Sequence, residues 1–360
     1  MPKFAFEYLD GGCNDDVNLF KNTDELRKVE LEPRYIIDRA PVDLSTTLFG
    51  HTYAAPFGVA PVGLQGLIWP GSCQMLAKVA AQQNIPFVLS TVTTGSIEEV
   101  GEITEGTAWF QLYHPAETQL KDDLLRRAWD AGYKVLVILS DVPSFGYRPR
   151  DIRNGLSMPP SMSVRNILQI MGKPSWAWNV LRRGSPEFES LKPYMPKGLD
   201  LSQLGTFMND TFSGYLSEER IKSLRDQWKG KLVLKGIASL EDADIAHQLG
   251  LDGVIVSNHG GRQLDGGTSA IKALKPIANE WGKKMTVMMD SGIRSGPDIA
   301  ATLATGASFS FLGRAFMYGV GALGEKGGHH VVNMLKRQLT QVMQQVGVSR
   351  VDDLPDRLIH

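Results

Sequence analysis

The densest run of chemistry-bearing residues is Val254-Ile255-Val256-Ser257-Asn258-His259-Gly260-Gly261-Arg262-Gln263-Leu264-Asp265. An apolar stretch leads straight into a polar, glycine-flanked segment that cannot stay in a core. His259 and Arg262 must therefore emerge where the stretch ends, and the glycines let the backbone turn and approach a ligand closely. An imidazole accepts a proton near neutral pH. A guanidinium nearby offers a planar fork to a carboxylate. A base beside an anion anchor is what removing hydrogen from a 2-hydroxy acid requires. Taken alone, the pair fits equally well a satisfied structural histidine beside a surface arginine.

A second cluster is Asp290-Ser291-Gly292-Ile293-Arg294-Ser295-Gly296, followed later by Gly313-Arg314. Small residues, backbone N–H groups and arginines at two successive strand ends form the usual phosphate site of a β/α barrel. Asp290 suits the hydroxyls of a sugar-like chain attached to that phosphate. Plain turn chemistry is the alternative. Lys235 ends the apolar run Leu232-Val233-Leu234 and should point into the same mouth. A cation there could stabilise the negative charge that develops on a flavin ring upon reduction, or it could simply reach solvent. Asp141, closing another apolar run, is placed to orient His259 and stabilise its protonated form.

These residues need a frame that brings strand ends together. Short apolar runs alternate with amphipathic segments along the chain. Strands are expected at Phe57–Pro61, Phe87–Ser90, Trp109–Tyr113, Val135–Asp141, Leu232–Gly236, Val254–Asn258, Thr286–Asp290 and Phe309–Gly313. Helices are expected at Ser72–Gln83, Glu117–Ala131, Ser239–Leu249 and Pro297–Thr305. Eight parallel strands with helical crossovers can close on themselves and lose their edges. The expected fold is thus α/β, a (β/α)8 TIM barrel, and the motif positions favour it over an open doubly wound sheet. One barrel domain should span residues 1–360, with 1–50 as an N-terminal cover over one mouth. A long connection at 142–213, after the fourth strand, is rich in Pro, Ser, Gly and Trp, including Pro159-Pro160. Its position makes it a candidate lid over the active end, or else an insertion without catalytic part. Residues 325–360 should carry a C-terminal helix, amphipathic from Val331 to Val346. His329-His330 fit surface or cap positions better than ligand positions.

Composition narrows the partners. Hydrophobic content of 42%, charge of 21% and a net charge of -1 describe a globular protein with no general attraction for nucleic acid or anionic membrane. Two cysteines, Cys13 and Cys73, make no disulfide framework, and no Cys/His cluster has metal-ligand spacing, so no metal is expected. The opening residues lack a signal-like apolar core, no stretch of about 18 apolar residues occurs, and the final residues are no peroxisomal address. A cytoplasmic location is the expectation.

The chain resembles the FMN-dependent 2-hydroxy acid oxidases and dehydrogenases, such as glycolate oxidase, lactate dehydrogenase and mandelate dehydrogenase. Ser257 to Asp265 matches their signature throughout, and the likeness runs in consistent order from Tyr8 to about Gly347. It implies FMN as cofactor and an L-2-hydroxy acid as substrate. His259 would be the base, oriented by Asp141, and Tyr113 would hydrogen-bond near the substrate hydroxyl. Arg262 and Arg148 would hold the carboxylate with Tyr8. FMN would lie against Ala60, Pro61, Val62 and Gly63 and contact Ser90, Gln111, Lys235 and Ser257. Its phosphate and ribityl chain would meet Asp290, Gly292, Arg294, Gly313 and Arg314. A homo-oligomer, tetramer or octamer, is also implied.

Two positions depart from the pattern. Val92 stands where several members carry an aromatic residue, which widens one side of the pocket and leaves the particular acid undefined. Leu139-Ser140-Asp141 replaces the usual Thr-Val-Asp, removing a hydroxyl commonly close to the flavin. The electron acceptor is equally open between oxygen and a quinone, haem protein or other carrier. The stretch Trp176–Arg183 could pack the lid, or sit on a partner or on the inner face of a membrane. Rival readings are an FMN-dependent isomerase barrel and a flavin-binding protein without turnover.

Overall fold

Every apolar run expected as a strand becomes one. The computed structural model describes all residues except 39, 157–161, 185, 197–206, 208, 209, 213, 214 and 360. A short antiparallel hairpin, β1 (Thr46–Leu48) and β2 (His51–Tyr53), precedes the sheet. Then come β3 (Phe57–Val59), β4 (Val88–Ser90), β5 (Trp109–Leu112), β6 (Val135–Leu139), β7 (Lys231–Ile237), β8 (Gly253–Val256), β9 (Thr286–Met289) and β10 (Phe309–Leu312). These eight are parallel in the order β3-β10-β9-β8-β7-β6-β5-β4. A bridge between Val59 and Phe87, with Val59 N–H donating to Pro86 O at 2.9 Å, joins β3 to β4 and closes the barrel.

Side-chain alternation along the strands decides what the barrel holds. Val88, Trp109, Val135, Val137, Val233, Ile255, Met288, Phe309 and Phe311 pack together inside it. The intervening residues, such as Phe57, Leu89, Phe110, Leu136, Leu234 and Val254, join the larger core beneath the helices. Carrying that period of two onward puts Ser90, Gln111, Asp141, Lys235, Ser257 and Asp290 on the inward side at the C-terminal ends. Most strands stop one or two residues short of the ends expected for them. The polar and glycine residues there turn away from the ladder into the mouth. β4 ends at Ser90 as expected, and β7 runs past its expected end to Ile237 through a register shift at Gly236.

The first residues serve both ends. Helices Lys3–Asp10 and Val17–Leu26 lie at the C-terminal mouth, whereas the β1–β2 hairpin plugs the opposite end. There the Trp109 indole donates to Tyr53 Oη at 3.2 Å. The long C-terminal helix begins at Glu325 and ends at Val346, so His329 and His330 lie within it. It buries Val331, Val332, Leu335, Leu339 and Met343 against neighbouring barrel helices. In the long connection after β6, helices Pro149–Arg153, Val164–Met171 and Pro174–Arg183 are described. The Pro159-Pro160 pair falls outside the described residues.

Candidate active site

A cavity of about 450 Å³ opens at the C-terminal mouth. Its wall includes Tyr8, Ala60, Pro61, Val62, Gly63, Tyr113, Arg148, Lys235, His259, Arg262, Asp290, Gly292, Arg294, Gly313 and Arg314. Residues from opposite ends of the sequence thus meet on one surface. Ser90, Gln111 and Ser257 do not line it but lie buried just below, on the inward face of their strands.

His259 sits where the backbone leaves β8 with φ +57, a left-handed conformation uncommon for a residue with a Cβ. Ser257 and Ser291 hold that turn. Ser257 Oγ accepts from His259 N–H at 3.0 Å and from Lys235 Nζ at 3.1 Å, and Ser291 Oγ accepts from Gly260 N–H at 2.9 Å. His259 Nδ1 lies 3.2 Å from Asp141 Oδ1. Burial lowers the imidazole below its ordinary value, with Asp141 opposing the shift, so the ring is neutral and able to accept a proton at Nε2. Burial alone would raise Asp141, but His259 and then Lys235 hold it below the usual carboxylate range. Gly236 makes this approach feasible: at φ +98, a Cβ there would come within 2.6 Å of Asp141 Cγ.

Arg262 is anchored on one side only. Its Nη1 donates to Tyr8 O and Gly11 O, each at 2.8 Å, and its guanidinium stands 5.0 Å from the Tyr8 ring centre. Arg148 occupies the N-cap position of the short helix Pro149–Arg153 without a side-chain capping bond, and its buried Nε has no hydrogen-bond partner. Burial, then the nearby Arg148, brings Arg262 down to about 10, still protonated at neutral pH. Between the two guanidinium groups lies Asp151, 3.8 Å from each. Sequence reasoning missed this residue; its only local signal is the spacing of three residues from Arg148 within one helical turn. It also missed the apolar arc of Leu64, Ile68, Leu156 and Phe188 that lines the cavity beside Val92.

The other end of the cavity is built for an anion. Lys235 Nζ pairs with Asp290 Oδ2 at 3.2 Å, both nearly fully buried. Arg294 and Arg314 are both depressed by burial, Arg314 to about 9. The Arg314 guanidinium, expected on a phosphate, also has partners within the protein. It donates to Leu9 O, Gly260 O and Gly11 O at 2.8–2.9 Å, locking the end of the first helix to the β8 loop. Gly313-Arg314 also offers an anion the N-terminus of helix Arg314–Leu323, whose first N–H groups have no side-chain cap. Among the described residues lining the cavity, five cationic side chains face two carboxylates. That surplus of positive charge suits a phosphate together with one carboxylate.

The chain is similar over its whole length to known proteins. The family model for FMN-dependent dehydrogenases matches residues 1–360. The L-lactate dehydrogenase of Caulobacter vibrioides is 38% identical over 361 aligned positions, covering 100% of this chain and 94% of that protein. That of Pseudomonas syringae pv. syringae is 38% identical, covering 98% and 93%. Among solved structures, the monotopic membrane protein (S)-mandelate dehydrogenase superposes with a TM-score of 0.94 at 35% identity, covering 100% and 95%. Mandelate oxidase superposes with a TM-score of 0.84 at 30% identity, covering 100% and 94%. With the family model spanning its full length, the chain belongs to the FMN-dependent dehydrogenases.

Proposed function

We propose that this chain oxidises an L-2-hydroxy acid to the 2-oxo acid, with His259 as the base and Arg262 and Arg148 binding the carboxylate. The observation that carries this reading is the meeting of three groups on one cavity: an oriented neutral imidazole, a guanidinium pair and a cationic anion-binding end. The residues suit FMN on a further count. The buried Gln111 Nε2 lacks a protein partner, as fits an amide that donates to a polar ring. Ser90 pairs with Gln111 on the neighbouring strand, Lys235 donates to Ser257, Ala60 to Gly63 line the cavity, and Asp290, Gly292, Arg294 and the Gly313-Arg314 N–H groups would hold the ribityl chain and phosphate. When bound, FMN supplies a two-electron acceptor. The substrate carboxylate docks on Arg262 and Arg148, Tyr8 and Tyr113 flank it, and His259 Nε2 takes up a proton. Asp141 then balances the imidazolium charge. Anaerobic mixing with glycolate, lactate, mandelate and longer 2-hydroxy acids tests this: at least one should bleach the oxidised flavin band. Failure of all would overturn it, and admitting oxygen afterwards sorts oxidase from dehydrogenase.

We further propose peripheral membrane contact through the connection after β6. Trp176 is only 5% exposed and donates its indole N–H to Leu67 O and Ile68 O at 3.2 Å, so it packs on the barrel. Trp178 and Leu181 point outward, 60% and 76% exposed, alongside exposed Val164, Leu168 and Met171. Arg165, Lys173, Arg182 and Arg183 accompany them, with no acidic residue from 162 to 184. An amphipathic, basic, aromatic surface of this kind suits an anionic bilayer interface, and a neighbouring structure is that of a monotopic membrane protein. Among the described residues no helix is long and apolar enough to cross a membrane. Co-sedimentation with anionic vesicles should capture the protein, and a Leu168→Asp/Leu181→Asp variant should stay in solution. Equal behaviour of the two would refute the contact and favour a soluble acceptor.

A further inference from the structure

The guanidinium pair does not face the cavity alone. Asp151 lies in the first turn of helix Pro149–Arg153, nearly buried at the cavity wall. One carboxylate oxygen, Oδ2, is 3.8 Å from Arg148 Nη1 and 3.8 Å from Arg262 Nη2. Those are ion-pair distances beyond the reach of a hydrogen bond. The carboxylate therefore offsets charge without occupying a donor. Arg262 has already committed Nη1 to two carbonyls, so the Nη2 that Asp151 faces is the end left to grip a ligand. Two cations against one anion leave a surplus of one positive charge, which a single carboxylate matches.

We propose that Asp151 is a built-in counter-ion that competes with the carboxylates of substrate and product for the Arg148–Arg262 pair. It rests on the arginine reading given above. Substrate and 2-oxo acid product carry the same carboxylate, so a pair of bare arginines would hold both tightly and slow release. Asp151 weakens that hold while keeping the two like charges from repelling each other apart between turnovers. Its fold contribution is separate: its backbone carbonyl accepts from Leu156 N–H at 2.8 Å, a bond any side chain at 151 would keep.

This differs in sign from a structural role, which predicts looser binding when the residue is changed. The experiment compares FMN-loaded wild type with Asp151→Asn. The probes are the 2-oxo acid product of whichever of lactate or mandelate reduces the flavin faster, and its neutral carboxamide, each titrated through the flavin spectrum. Removing a unit charge a few ångströms from the site should tighten binding of the acid about tenfold. The carboxamide should be unaffected, KM for the hydroxy acid should fall, and Asp151→Glu should bind as weakly as wild type. Unchanged or weaker binding of the acid by Asp151→Asn overturns the proposal. Should that variant lose flavin, Asp151→Ser carries the same comparison, and flavin loss in both would show a structural role instead. If wild type itself binds acid and carboxamide alike, it is the arginine reading that fails, and the counter-ion falls with it.

Discussion

Asp141→Asn isolates one electrostatic contribution at the heart of the site. Asparagine keeps the shape that Gly236 accommodates and leaves the backbone bond from Gln263 Nε2 to Asp141 O, at 2.8 Å, in place. What it removes is a negative charge 3.2 Å from His259 Nδ1. At an effective dielectric of about 20 that pair is worth about 5 kcal/mol once the ring is protonated. Losing one partner of a buried pair typically costs about 3 kcal/mol or more. We take about 3 kcal/mol for a pair that borders a cavity, which corresponds to a rate loss of about a hundredfold. Stopped-flow flavin reduction under anaerobic conditions is the assay. The limiting rate should drop by that factor while the substrate dissociation constant stays put, because the arginine pair is untouched. The pH profile gives an independent check. Asp141 raises the basicity of His259 against the lowering effect of burial. Without it burial acts unopposed, so the acid limb of the rate profile should move to lower pH. A rate within about threefold of wild type, well short of the usual effect of a general base or its partner, with an unshifted acid limb, would refute the reasoning.

In the wild type, burial depresses His259, so its neutral form persists below the ordinary histidine value of about 6.5. The kcat/KM profile should be flat across neutral pH and fall only on the acid side of that value; a fall beginning above pH 7 would contradict the assignment. Arg294→Met should weaken retention of FMN, read by dialysis and absorbance, with little change in far-ultraviolet circular dichroism. Gly261→Ala places a Cβ 2.5 Å from Leu19 N at φ +75, and a strain of about 2–3 kcal/mol should lower Tm by several degrees. Val92→Trp should fill the side of the cavity next to Gly63, raising KM for mandelate more than for lactate. Equal changes for the two acids would remove Val92 from the substrate wall.

The parts of this fold that were legible from sequence are those governed by local pattern. Each strand of the barrel is an apolar run, and period-two alternation carries Ser257, Lys235 and Asp290 to the inward face. Strand ends were overestimated because a ladder stops where its partner stops, which no single run reveals. Arg314 was the harder case. A Gly-Arg at the last strand end reads as a phosphate contact, but no local pattern shows that its guanidinium also serves carbonyls of Leu9 and Gly11, more than 300 residues away. Arg262 likewise spends half its fork on the end of the first helix. Asp151 was invisible as a functional residue because its second arginine arrives from the loop after β8, far along the chain. The two tryptophans at 176 and 178 illustrate the same limit. They share a composition cue, but only three-dimensional packing assigns one to the barrel and the other to the surface.

The mechanism needs His259 as the proton acceptor, and single-turnover reduction of the FMN-loaded His259→Gln variant is the decisive test. With flavin content and fold matched to wild type, bleaching by the preferred 2-hydroxy acid should slow by about a hundredfold to ten-thousandfold, while the 2-oxo acid still binds. Bleaching at a rate close to wild type would show that the imidazole is not the base and would contradict the mechanism.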